Sequence, residues 1–107
     1  MNWSTADSED KMLLKILSFL YGNNEKLLHV ILNPDTPKLI APSDIIKKRC
    51  RGFSSSEQLL IRVGLDIWDG SGGIHFNELY ENLDSGNFQK VLLVLNYLYS
   101  PHRATLF

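Results

Sequence analysis

No apolar stretch in this chain runs far before a breaker stops it. Glycine, proline or asparagine interrupt it at 22–24, 33–37, 42, 52, 70–73 and 84–87. Between the breaks, apolar residues recur at three- and four-residue spacing, the period of a helix buried on one side. Short periodic pieces with short connectors cannot make a long coiled coil, and none approaches the ~20 apolar residues of a membrane span. They pack as a compact all-α orthogonal bundle of five to six short helices in a single domain.

The pieces can be placed by their ends. Asp7 is the expected cap of a helix over 8–21, with Leu13, Ile16, Leu17 and Leu20 on one stripe and Met12 and Phe19 widening it. Asn24 is the expected cap of a helix over 25–32, which buries Leu27, Leu28 and Ile31 and stops before Pro34. The connector 34–42 is punctuated by prolines, yet Leu39 and Ile40 are apolar enough to lie extended across the core. Ser43 is expected to cap a helix over 44–50. Ser54 with Glu57, or Ser55 with Gln58, has capping-box spacing and opens a helix reaching about Trp68. Its interior Gly64 costs up to ~1 kcal/mol against alanine, which a close helix crossing would explain. After Gly70-Ser71-Gly72-Gly73, residues 74–76 are expected extended and Asn77 to cap a helix ending near Leu83. The last helix is expected over 88–99, on Phe88, Val91, Leu92, Leu95 and Leu98, with Val94 off the stripe. The ends, 1–7 and 101–107, carry no periodic signal and are expected to fray.

At 107 residues with 44% hydrophobic and 21% charged side chains, the chain can bury one core unaided and is not of disordered type. Its net charge of −1 excludes a polybasic nucleic-acid-binding chain. A single cysteine, Cys50, excludes a disulfide framework or a multi-cysteine metal knuckle and suits a reducing compartment. The N-terminus is polar and then acidic, unlike a signal peptide, so the expectation is a soluble cytoplasmic protein without a membrane segment.

Asp69-Gly70-Ser71-Gly72-Gly73-Ile74-His75-Phe76-Asn77-Glu78 resembles most of an EF-hand calcium loop. Asp69 and Ser71 stand at its third and fifth positions, Gly72 at the turn glycine, Ile74 at the eighth position and Glu78 at the bidentate twelfth. The first position holds Ile67 in place of an aspartate, and Asp66 falls one residue early. The resemblance therefore implies a degenerate calcium site, with Asp69, Ser71 and Glu78 as its weak metal candidates. Without the first ligand no metal or other cofactor is expected.

Charge is segregated. Residues 37–62 carry Lys38, Lys47, Lys48, Arg49, Arg51 and Arg62 against Asp44 and Glu57, a net of +4. Residues 63–107 carry Asp66, Asp69, Glu78, Glu81 and Asp84 against Lys90 and Arg103, a net of −3. Lys47, Lys48, Arg49 and Arg51 form the densest cluster and are the first candidate for partner binding. Such cations also suit a helix C-terminus with no partner. Glu78, Glu81 and Asp84 are the alternative partner-binding site. Catalysis finds no support in sequence. His29, His75 and His102 lie far apart and fit no nucleophile or zinc pattern. Cys50 beside Lys47, Arg49 and Arg51 suits either a reactive thiol or, more simply, a small buried one.

By elimination the expected role is non-enzymatic: a small regulator or inhibitor that binds a macromolecular partner, most simply a protein, stoichiometrically. As a class this profile resembles small stoichiometric regulators and inhibitors carried by phages and mobile elements. The alternatives are a nucleic-acid-binding regulator using the basic segment 38–51, with the helices after Ser43 and Ser55 as a helix-turn-helix, and a degenerate EF-hand-like calcium binder.

Overall fold

A computed structural model describes residues 1–4, 6–22 and 24–99. It is an all-α bundle of six helices: α1 (Ser8–Leu20), α2 (Glu25–Ile31), α3 (Ser43–Arg49), α4 (Ser55–Asp69), α5 (Phe76–Asn82) and α6 (Ser85–Tyr99). No strand is present among the described residues. Leu32 and Leu39 make an isolated antiparallel bridge, and Ile40 N–H donates to Ile31 O at 3.0 Å, which pins the proline-rich connector across the core. Leu39 packs on the core while Ile40 stays outside. No helix among the described residues is long and apolar enough to cross a membrane.

α4 is the central helix, touching α1, α2, α3 and α5. Its start follows from the sequence: Ser54 Oγ accepts the Glu57 N–H, and Glu57 returns the bond to the Ser54 N–H. It ends at Gly70, whose φ of +79° is a left-handed cap that favours glycine. Gly64 is the close crossing. A Cβ there would stand 1.9 Å from Tyr21 Oη and 3.1 Å from Ile31 Cδ1. Tyr21 is buried, and its hydroxyl donates to Leu60 O at 3.2 Å. Burial pushes that phenol well above its ordinary range.

Three helix starts differ from expectation. Ser43 is the first residue of α3, and Pro42 holds the cap position with its carbonyl accepting from Ile45 and Ile46. α5 begins at Phe76, so Asn77 lies inside it. α6 begins at Ser85, three residues early, because the Asp84 carboxylate accepts the Asn87 N–H at 2.7 Å and caps it. The face of α6 is also rotated. Val94, expected off the stripe, is fully buried with Tyr97 against Ile16 of α1, whereas Leu92 is exposed.

Residues 1–4 are not loose. Trp3 is 4% exposed, its indole N–H donates to Asn33 O at 2.8 Å, and its ring meets Trp68 edge-on at 6.0 Å. Trp68 is partly buried on the same core, as its place at the end of the α4 apolar face suggests. The tail expected to fray, 101–107, lies outside the described residues.

Candidate functional site

The glycine-rich loop between α4 and α5 has the helix–loop–helix frame of the calcium motif but closes on the protein's own cations. Arg62, on α4, donates from Nε to Gly72 O at 3.1 Å and from Nη2 to Gly73 O. The same guanidinium grips both oxygens of Glu78, at 2.8 and 3.1 Å. Lys47 Nζ, from α3, donates to Ser71 O at 2.6 Å. Three successive loop carbonyls therefore face ammonium or guanidinium groups. Asp66 Oδ1 accepts the Gly72 N–H at 2.7 Å and the Gly73 N–H at 3.3 Å, and Asp69 Oδ1 accepts the Ser71 N–H. Gly72 is forced: a Cβ would stand 2.0 Å from the Arg62 carbonyl, which is backbone and cannot swing away.

Two of the three metal candidates are thus engaged otherwise, Asp69 in its turn and Glu78 with Arg62; Ser71 gives its carbonyl to Lys47, while its hydroxyl is buried without a hydrogen-bond partner among the described residues. Glu78 Oε1 also accepts the His75 N–H at 3.0 Å, which caps α5. Arg62 and this N–H hold the Glu78 carboxyl down at about 2. Two outcomes follow. Millimolar calcium should give no binding heat in calorimetry and no rise in Tm; a micromolar site would refute the internal closure of the loop. The second concerns acid. A carboxylate depressed from 4.5 to about 2 contributes stability that is complete above its unfolded value and lost as pH falls through that window. Melting temperature should fall between about pH 5 and 2, and Glu78→Gln should flatten that fall. Equal slopes for both proteins would mean the pair is solvated.

The sequence candidates separate in the same way. Of the basic cluster, Lys47 is committed to the loop, while Lys48, Arg49 and Arg51 are exposed with no ion pair among the described residues. Of the acidic set, Glu78 is paired, Asp84 caps α6, and Glu81 is left exposed without an ion pair among the described residues. The side chains that a helix-turn-helix would offer to bases are in use. Glu57 caps α4 and pairs with Lys26 at 2.8 Å, Gln58 donates to Arg51 O and Phe53 O, and Arg62 closes the loop. Cys50 is buried, and burial pushes its thiol up, opposite to the activated thiol that its basic neighbours suggested. His29 and His75 are exposed, one on α2 and one before α5; His102 lies outside the described residues.

A different face stands out. α5 and α6 are consecutive, yet α5 packs on α4 and α6 on α1, so they diverge from the Leu83–Asp84 turn. The cleft between them, about 310 Å³, is floored by Val63, Ile67, Leu79, Val91 and Leu95. Phe76 and Tyr99 stand at its mouth, 85% and 74% exposed. Tyr80, 79% exposed, meets Phe88 edge-on at 6.4 Å nearer the turn. Exposed aromatics around an apolar cleft are unusual on a monomer surface and make this face the candidate site. Sequence reading missed it, though the signal was present: Phe76 and Tyr80 are four apart on one short helix, and α6 carries more apolar residues than one buried stripe needs.

Comparison with known proteins finds no matching family model, no matching curated sequence and no matching solved structure.

Proposed function

We propose that this chain is a non-enzymatic regulator or inhibitor that acts by binding a protein partner on the α5–α6 face. The observation that carries it is the exposure of Phe76, Tyr80 and Tyr99 around an apolar cleft. Aromatic side chains at the centre of an interface supply most of its binding energy, and in the free protein they cost solvation without stabilising the core. A second reading keeps one observation of its own: Lys48, Arg49 and Arg51 are exposed with no ion pair among the described residues, which suits phosphates of a nucleic acid.

A photo-crosslinking benzoylphenylalanine placed at position 76, and separately at position 49, distinguishes the two in cells that make the protein. Under the first reading, position 76 gives a discrete protein adduct and position 49 does not. An adduct to nucleic acid from position 49, with none from position 76, reverses the assignment.

A further inference from the structure

The shape and charge of the cleft specify its occupant more closely, given that the α5–α6 face is the partner surface. On α6, Val91, Leu95 and Tyr99 line the cleft, while Val94 and Tyr97 pack with Ile16 of α1. That strip spans roughly 12 Å at the helical rise, about two turns. Phe76 and Leu79 of α5 form the opposite wall. An elongated apolar strip between two diverging helices matches the apolar face of a docked helix.

The electrostatics favour a basic occupant. Asp66 lines the cleft, and its carboxylate makes no ion pair among the described residues. Residues 63–99 carry Asp66, Asp69, Glu78, Glu81 and Asp84 against Lys90 alone. The Lys90 ammonium lies by the end of α1, 2.9 Å from where a Cβ on Gly22 would stand, and Arg62 is consumed by Glu78 and the loop. A second copy of this chain is a poor occupant. Face to face, the two acidic sides would meet. Its own exposed cations without an ion pair among the described residues include Lys11, Lys15, Lys38, Lys48, Arg49 and Arg51, and the exposed large apolar side chain nearest the last four in sequence, Ile40, lies in the non-helical connector, where it cannot anchor a docked helix.

We propose that the α4–α5–α6 cleft receives an amphipathic basic helix of a partner protein, with a large apolar side chain seated between Phe76 and Tyr99 and a lysine or arginine against Asp66. Charge complementarity of this kind speeds encounter and rejects acidic helices.

The test is a display selection from a library of helical peptides of about four turns, randomised at every position, against the immobilised full chain. Enriched peptides should carry apolar residues at i, i+4 and i+7 with Lys or Arg on the flank. Their synthetic forms, followed by fluorescence anisotropy, should bind about tenfold more weakly to Phe76→Ala. They should bind about fivefold more weakly to Asp66→Asn, and that second loss should vanish at high salt. Asp66→Asn keeps the oxygen that accepts the Gly72 and Gly73 N–H groups, and Phe76 is outside the core, so both variants retain the fold. No enrichment, enrichment without basic bias, or binding indifferent to both substitutions overturns the assignment. A crosslinked protein adduct at position 76 alongside any of these leaves the partner face standing and removes only the basic helix.

Discussion

Gly64→Ala should lower stability by about 1–3 kcal/mol, the range of core overpacking. The sign is the informative part. In an exposed helix the same change gains up to ~1 kcal/mol, because alanine is the better helix former. Here the new methyl would stand 1.9 Å from Tyr21 Oη, and the ring that carries this hydroxyl is buried between α1 and α4. Moving it breaks the bond to Leu60 O and disturbs Ile31 on α2. Removing the hydroxyl should relieve most of the clash. Tyr21→Phe alone should cost about 1 kcal/mol, the usual net worth of one hydrogen bond. The double variant should then be at least about 1 kcal/mol more stable than the sum of the two single losses predicts. Urea denaturation of the four proteins measures the cycle. Additive losses, or a Gly64→Ala protein as stable as wild type, would show that α4 and Tyr21 are not in close contact.

Trp3→Ala should cost about 3–5 kcal/mol, as for other buried aromatics cut back to alanine. That is a large part of the 5–15 kcal/mol expected of a whole domain. Three contacts go at once: an indole 4% exposed, its bond to Asn33 O, and the edge-on meeting with Trp68. Trp3→Phe should recover most of the packing and lose about 1 kcal/mol for the missing donor. Fluorescence provides a second readout, because the chain has two tryptophans. In Trp3→Ala the remaining emission comes from Trp68 and should shift to the red as that ring gains water. A loss under about 1 kcal/mol, typical of surface changes, would place residues 1–4 outside the folded unit.

The helices were legible because their signals are local. Asp7, Ser54 and Gly70 act within four residues of themselves, and the cap, the box and the left-handed stop lie where those residue types put them. What was missed is non-local. Trp3 is held by Asn33, thirty residues away, and nothing in its neighbours announces that. Arg62 and Glu78 are sixteen apart, joined through a loop whose metal pattern lacks its first carboxylate. An arginine one turn before a calcium-like loop without that carboxylate is a usable sign of internal closure. α6 misled in a more instructive way. Periodicity identified a genuine apolar stripe, but the helix carries apolar residues on two sides, and the one chosen lies partly on the open cleft. A period reveals that a face is apolar; it does not say whether the protein's own core or another molecule covers it.

Closing the α4–α5 loop with Arg62 has a consequence for signalling. In calcium sensors the ion is a free variable: its concentration sets the angle between two helices, and a groove opens or shuts accordingly. Here the counter-cation is covalently part of α4, so its local concentration is fixed by the chain and no chelator can withdraw it. The hinge between α4 and α5 is permanently loaded. On the proposed reading, the cleft that α5 walls is then constitutively available, and its filling is not gated by an ion bound in this loop.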